Sequence, residues 1–263
     1  MLTYKGLALT SAVLLTLVST ASIAEFRRSE IQEAENNIYI AIGGGGGGMN
    51  TGDWKKARNN DDPFNSLEKI NQPNHKTVGT GNGMAAIGYG FQGFPARLEV
   101  AYNYIGNGSF EWDNIIAADS AFPLPSDGAR AEGKAKVFSN TVMLNAYLDF
   151  IMNERWMPFL MIGAGWGVNG ARLDVNFTSD ADPSQNFESS SDRKYTSNFV
   201  WNAGVGVNYV LDESWTLGVA ATYFYLGEMD VNAFDPLLEE DISAFTVDTL
   251  DAFIGTVNLA YHW

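Results

Sequence analysis

The sequence has no cysteine and only two histidines, His75 and His262, among its 263 residues. Without cysteine there can be no disulfide, no thiol nucleophile, no iron–sulfur cluster and no thiolate zinc site. Cations are also scarce, because 16 Lys and Arg stand against 31 Asp and Glu, for a net charge of −15. Such a charge argues against non-specific binding to nucleic acid. We therefore expect no cofactor, no metal centre and no nucleic-acid partner.

Long hydrophobic runs are missing as well, so we expect no transmembrane helix. The longest apolar stretch lies near the N-terminus, where Lys5 precedes Gly6–Val18 and small residues follow as far as Ala24. A charge, a short apolar core and a small-residue end are typical of a cleaved secretory signal peptide, whereas a membrane-spanning helix needs roughly 20 apolar residues. We predict a signal peptide over 1–24, a short periplasmic segment over 25–36 and one domain over 37–263.

What the chain does contain is a repeated alternation of apolar with small or polar residues, the period of a β-strand. One face of each stretch is apolar and often ends in Tyr, Trp or Phe, as a lipid–water interface favours. The opposite face is mostly Gly, Ala, Asn and Thr, which suits a narrow lumen. The pattern predicts eight strands, over 37–44, 83–91, 96–105, 137–150, 158–168, 198–209, 215–226 and 251–263.

The connections between these strands alternate in length. Short connections follow the second, fourth and sixth strands, whereas the others cover roughly 45–82, 106–136, 169–197 and 227–250. This alternation predicts an all-β fold, an eight-stranded antiparallel transmembrane β-barrel with four long extracellular loops, short periplasmic turns and both termini in the periplasm. The stretches 110–116 and 172–177 alternate weakly, and we interpret them as strand extensions above the membrane. Extra membrane hairpins there would instead favour a small passive channel.

Four stretches carry a resemblance to a known group of proteins: Phe94–Val100, Asn145–Phe150, Pro158–Gly167 and Val257–Trp263. They resemble the bacterial outer-membrane β-barrel families that include the OmpA transmembrane domain and the opacity (Opa-like) surface proteins. The resemblance implies an outer-membrane location, with outer-membrane lipid and lipopolysaccharide as surroundings. The last stretch resembles the C-terminal signal read by the barrel-assembly machinery, through Val257, Leu259, Tyr261 and Trp263. Trp263 stands where Phe is commoner.

Three charged residues, Arg97, Glu99 and Asp149, fall on the lumen face of the third and fourth predicted strands. Charges in a narrow interior are costly unless they are paired, so we predict a salt-bridged lumen network. The alternative is a selectivity or gating element of a small pore. The run Gly43–Gly48 lacks the Gly-Lys-Ser/Thr of a phosphate-binding loop, and we interpret it as a flexible exit from the first strand.

Acidic residues concentrate in the last long loop, where 227–250 contains seven Asp and Glu and no Lys or Arg. We interpret them as solvated loop residues, with divalent-cation binding at Glu239, Glu240 and Asp241 as the alternative. An enzymatic barrel would need a His near the outer rim with a Ser partner, and neither His75 nor His262 fits. We therefore predict a non-enzymatic surface protein whose loops serve adhesion, host contact, antigenicity or structure. A small passive channel is the alternative.

Overall fold

The computed structural model describes residues 38–56, 73–91, 94–113, 129–150, 152–153, 155–179, 187–235 and 240–263. The predicted signal peptide and the segment 25–36 lie outside these residues. In the described part of the chain, no helix is long and apolar enough to cross a membrane. The strands are β1 (Ile38–Thr51), β2 (Trp54–Lys56), β3 (Thr77–Gly90), β4 (Ala96–Trp112), β5 (Ala129–Asp149), β6 (Trp156–Ser179), β7 (Phe187–Ser190), β8 (Lys194–Val210), β9 (Trp215–Asp235) and β10 (Glu240–His262).

Eight of these strands form a closed antiparallel ring in the order β1-β3-β4-β5-β6-β8-β9-β10, and β1 pairs with β10 to close it. The two short strands lengthen the wall, since β2 pairs with β10 beyond the end of β1 and β7 pairs with β6 beyond the start of β8. Closure satisfies backbone groups that lipid cannot hydrogen-bond. The predicted eight-stranded barrel is confirmed.

The strands are longer than the sequence pattern predicted. The longest is β6 with 24 residues, although about 10 are enough to cross a membrane as a tilted strand. The extra residues lie at the end that carries the long connections, which is the extracellular end. Phe110–Trp112 belongs to β4 and 172–177 to β6, so these residues extend strands, as predicted, whereas 114–116 lies outside the described residues. The rest of the loops, 57–72, 114–128, 180–186 and 236–239, lies outside the described residues.

The apolar face of each membrane-crossing strand points outward. Ile42, Ile162 and Trp166 are each about two-thirds exposed, at 66%, 65% and 65%. Large exposed apolar side chains on a regular wall indicate contact with lipid rather than with water. At the periplasmic end, rings pack in pairs, with Trp215 and Tyr261 centroids 4.9 Å apart. The predicted alternation of lipid-facing and lumen-facing residues is confirmed.

The short turns are built by side chains that bond the backbone. The carboxylate of Asp212 accepts hydrogen bonds from the Ser214 and Trp215 amides, each at 2.9 Å. The Asn153 side chain does the same for the Arg155 and Trp156 amides. Asn and Asp are the residues that make this kind of local turn. These turns set the register of the β5–β6 and β8–β9 hairpins.

The prediction that Gly43–Gly48 forms a flexible exit is wrong. All six glycines lie in β1 and pair with β10 on one side and with β3 on the other. A Cβ atom on Gly43, Gly45 or Gly47 would come within 3 Å of the β10 backbone. Glycine is therefore required here for a close strand approach. Pairing on both edges overrides the low strand propensity of glycine.

The hydrogen bonding between β8 and β9 changes near the extracellular end of the barrel wall. Their backbone ladder stops at the pair Trp201–Tyr225. Beyond it, the Asn198 amide group donates to the Glu228 carbonyl at 2.8 Å and accepts from the Glu228 amide at 3.2 Å. Gly227 has a φ of +85°, and the Asn198 side chain fills the space where its Cβ would lie. We call this stretch, 196–198 with 226–230, the side-chain seam.

Candidate functional site

The lumen near the periplasmic end is organised around Arg97 of β4. Its Nε atom lies 2.9 Å from Oδ2 of Asp149 on β5, and both side chains are largely buried. The guanidinium carbon lies 4.2 Å from the ring centroid of Tyr147 and 5.3 Å from that of Phe159. Both Asp149 oxygens accept from the same Nε, and this carboxylate together with the aromatic faces stabilises the buried cation.

Glu99 lies two residues further along β4 and is bound by neutral donors. Its carboxylate accepts hydrogen bonds from the Tyr147 hydroxyl at 2.7 Å, the Tyr39 hydroxyl at 3.0 Å and the Asn145 amide at 3.2 Å. Arg97 reaches Glu99 through Tyr39, whose hydroxyl accepts from Nη1 at 3.3 Å. The structure thus brings all three charged residues of the predicted network into one connected group. A functional role for that group remains a prediction.

The network continues across the lumen and needs space. The Asn202 amide of β8 donates to the Asn145 oxygen of β5 at 3.1 Å. Glycines provide the room, because a Cβ on Gly163 would meet the Asn145 and Asn202 side chains. Hydrogen-bonded polar side chains therefore extend across the periplasmic half of the lumen, where Phe159 and Ala41 are buried beside them.

The extracellular half of the lumen is filled differently, by a large apolar cluster. It includes Met49, Phe110, Leu226 and Ile254, each of which is 0% exposed. Its members come from β1, β2, β4, β5, β6, β9 and β10, and Val78 of β3 packs against them. Small and polar residues therefore do not line this half of the lumen. The strand extensions enclose a hydrophobic core of their own, because a barrel wall above the membrane has water outside.

Aromatic rings bridge the lumen at its extracellular end. Trp54 of β2 meets Trp112 of β4 edge-on at 4.8 Å, and Trp112 stacks on Phe245 of β10 at 6.5 Å. The Trp54 indole N–H donates to the Thr51 hydroxyl at 3.0 Å, which satisfies its one buried polar group. Polar contacts at the periplasmic end and packed rings at the extracellular end together fill the lumen with side chains. The interior of an eight-stranded barrel is generally filled in this way.

The outer face of the extensions carries charged side chains instead of apolar ones. Lys134 pairs with Glu111 at 2.8 Å, and Asp174 takes both Lys136 at 2.8 Å and Arg172 at 3.0 Å. Burial raises the pKa of Asp174, but hydrogen bonds from Lys136 and Ser190 outweigh it and hold the pKa below its usual value. The hydrogen bond from Lys76 likewise lowers the pKa of Asp53.

The remaining candidate residues lie apart from one another. His75 is exposed in the first long connection, and His262 ends β10 with its ring 5.3 Å from Tyr39. Glu239 lies outside the described residues, and Glu240 and Asp241 pair through their backbones with Asp235 and Phe234 of β9. Among the residues that the structure describes, no group of three or more His, Cys, Asp or Glu side chains is arranged to hold a metal ion.

Three residues of the predicted assembly signal, Val257, Leu259 and Tyr261, lie at the end of β10, and Trp263 directly follows the strand. Leu259 pairs with Leu217 of β9, and Tyr261 pairs with Trp215. Phe253, Val257 and Trp263 are about half exposed on the outer face. Recognition of this stretch by the assembly machinery remains a prediction.

Closed antiparallel topology, a lipid-facing wall and a filled lumen define an outer-membrane β-barrel. The family model of the outer membrane protein beta-barrel domain matches residues 10–236, and the chain belongs to this family. Its location is the bacterial outer membrane.

The chain is similar to several known proteins. Outer membrane protein PagN of Salmonella typhimurium strain LT2 is 26% identical over 177 residues, covering 66% of this chain and 69% of PagN. Neisserial surface protein A is 13% identical with a TM-score of 0.42, covering 86% of this chain and 97% of that structure. The N-terminal β-barrel domain of Pseudomonas aeruginosa OprF is 12% identical with a TM-score of 0.36, covering 87% and 98%.

Proposed function

We propose that this protein is a non-enzymatic surface protein that acts through the extracellular ends of its strands and the loops they carry. These regions would contact a host cell or another extracellular ligand. The protein would then serve as an adhesin or a surface antigen. The observation that carries the proposal is the filled lumen: with polar contacts in one half and an apolar core in the other, the surfaces left for a partner are external.

The length of the extensions supports the same proposal. β5, β6, β9 and β10 have 21 to 24 residues, about twice what a membrane crossing needs. A purely structural role in the membrane would not require strands that extend this far beyond it. Extensions with their own apolar core form a rigid platform that holds the loops well above the lipid surface.

The alternative function is a small passive channel. The packing of Trp54, Trp112 and Phe245 across the lumen counts against it, as does the ion pair between Arg97 and Asp149. Water and solutes would have to displace a packed core as well as a paired charge network. We therefore favour the surface role.

The test replaces the loop tips and keeps the barrel. In one variant, 57–72, 114–128, 180–186 and 236–239 are each exchanged for a short Gly-Ser turn, and whole-cell attachment to host epithelial cells is compared with the unaltered protein. We expect attachment to fall to the level of cells lacking the protein, while heat-modifiable migration shows that the barrel is intact. Unchanged attachment with a folded barrel would overturn the proposal.

A further inference from the structure

The lipid-facing wall carries a patch without side chains where β10, β1 and β3 lie next to one another. The alternation that points Ile40 and Ile42 outward continues along β1, and the register brings the outward glycines of all three strands side by side. We call this patch the glycine trough; it consists of Gly44, Gly46 and Gly48 of β1, Gly79, Gly81 and Gly83 of β3, and Gly255 of β10. Ile42 and Phe253, both more than half exposed, project from the wall at its margins.

The packing of the barrel does not require glycine at several of these positions. A Cβ on Gly79 or Gly83 would meet no atom within 4 Å, and a Cβ on Gly255 would be in ordinary contact, 3.7 Å from the Gly46 oxygen. The inward glycines of β1 differ, because the β10 backbone leaves them no room for a Cβ. Strands favour β-branched and aromatic residues, and glycine within a strand often marks the close approach of another backbone or a ligand. The outward glycines therefore indicate a contact outside the barrel.

Another part of the wall has the reverse shape, a group of large rings that project outward. Trp166 of β6 pairs with Phe199 of β8 in the register, and their ring centroids lie 6.5 Å apart. Tyr195 lies further along β8, and all three side chains are more than half exposed. We call Trp166, Phe199 and Tyr195 the aromatic ridge.

The aromatic ridge and the glycine trough lie on opposite sides of the barrel at a similar depth. In the closed ring, β6 lies four strands from β1 in either direction, and β8 lies four strands from β3. Trp166 lies ten residues along β6 from Trp156 at the periplasmic end, and Gly48 lies ten residues along β1 from Ile38. Because the strands of a barrel share one tilt, equal distances along them give similar depths. A second copy in the same membrane can therefore bring its ridge to the trough of the first without rotation.

We propose that copies of this protein pack side by side in the outer membrane, with the aromatic ridge of one copy in the glycine trough of the next. Close packing stabilises contacts within lipid, and small residues let two surfaces approach closely. Four strands about 4.8 Å apart, each crossing with about 10 residues, present about 600 Å² per copy, so the contact buries about 1,200 Å², which is enough for a specific interface. Ridge and trough are different surfaces, so the contact is heterologous and produces rows of copies. It lies within the membrane and is independent of the loop tips that serve the proposed surface role.

The experiment uses introduced thiols, because the sequence has no cysteine of its own. Gly79→Cys places a thiol in the trough, where a Cβ has open space, and Phe199→Cys places one on the ridge. The two full-length variants, with tags of different length, are co-expressed in the outer membrane of one bacterial strain and oxidised with copper phenanthroline. Non-reducing gel electrophoresis measures the disulfide-linked dimers. We expect mixed dimers to be about tenfold more abundant than dimers of either variant with itself, because the contact holds the two thiols at a high effective concentration.

In the matched control, Leu144→Cys replaces Gly79→Cys, because Leu144 of β5 is as exposed as Phe199 but lies outside the trough. It is expected to give only the background level of mixed dimer. Gly83→Leu, added to the Gly79→Cys protein, fills the trough and is expected to return the mixed dimer to that level, while heat-modifiable migration verifies folding. Mixed dimer at the level of the control would overturn the proposal, as would linkage that Gly83→Leu leaves unchanged. Equally strong linkage of Gly79→Cys to itself would overturn it too, because it would indicate a symmetric contact between two troughs.

Discussion

Arg97 is the residue on which most of the lumen contacts depend. It pairs with Asp149, donates to Tyr39 and lies over the rings of Tyr147 and Phe159. Glu99, 4% exposed, is held in turn by Tyr39 and Tyr147. Removal of the Arg97 charge leaves the carboxylates of Asp149 and Glu99 without a compensating cation.

The first prediction concerns this cation. Arg97→Gln is expected to lower the free energy of unfolding by about 3 kcal/mol, since removal of one partner leaves a buried charge unpaired. Urea unfolding in phospholipid vesicles, followed by tryptophan fluorescence, measures it. Lys134→Gln breaks the exposed pair with Glu111 and serves as the control, with an expected change below about 1 kcal/mol. Similar losses in the two variants would contradict the account of the lumen.

The second prediction concerns the glycine run of β1. Gly45→Ala places a Cβ within 3 Å of the backbone at Gly255, whereas Gly79→Ala places the same group in open space. We expect Gly45→Ala to cost about 1–3 kcal/mol and Gly79→Ala to have little effect, because overpacking is destabilising. The same urea unfolding assay compares them. Equal stability of the two variants would show that the close approach of β1 to β10 is not required.

At this scale the sequence allowed part of the site to be predicted. Period two places Arg97, Glu99 and Asp149 on one face, and the same period places Tyr39 inward between Ile38 and Ile40. The contact between Tyr39 and Glu99 could not be predicted, because it joins two strands that are not neighbours in the ring. Such contacts depend on the curvature of the closed barrel and not on the pattern within one strand.

Among the elements, the side-chain seam between β8 and β9 differs most from a regular wall. Asn198 replaces a backbone partner for Glu228, and the Thr196 hydroxyl accepts from the Asp230 amide at 3.1 Å. From inside the barrel, the Asn169 amide donates to the Leu226 and Glu228 carbonyls, each at 2.8 Å. Three side chains thus satisfy backbone groups that a strand would otherwise pair.

The third prediction tests this seam. Asn198→Ala leaves the Glu228 amide and carbonyl without their outer partner, so amide hydrogen exchange at Glu228 and Asp230 is expected to accelerate at least tenfold. Exchange in the regular β5–β6 ladder is expected to stay unchanged. Asn176→Ala, at an exposed position of β6, is the control. If exchange at Glu228 is the same in both variants, the seam is held by other contacts.

The existence and order of the strands could be predicted from alternation and loop lengths, whereas their extracellular ends could not. Within the membrane, one face must be apolar, which makes the alternation strong. Above the membrane, the outer face of each strand meets water and the inner face forms a core. Residues such as Trp112 and Glu111 therefore still alternate, but the alternating stretch is too short to be recognised in the sequence. Gly43–Gly48 has no alternation at all, and only pairing on both edges reveals it as a strand.

For the whole molecule, the average properties of the sequence are those of a soluble acidic protein, with a mean hydropathy of −0.11. The structure separates this average into an apolar wall, a filled lumen and a charged extracellular extension. Glu228, Asp230 and Asp248 lie in the extracellular parts of β9 and β10, whereas the Arg193 guanidinium packs on Phe138 of β5. Location and fold follow from this division, and the proposed surface role follows from the closed interior.

The fourth prediction bears on that interior, and it is measured as ion conductance across planar lipid bilayers containing the refolded protein. Insertion is verified by heat-modifiable migration of the same preparation. Because polar contacts fill one half of the lumen and the apolar cluster around Trp54 and Trp112 fills the other, we expect no discrete conductance steps above those of the protein-free membrane. Reproducible unitary steps of pore size would contradict the closed barrel and favour the channel.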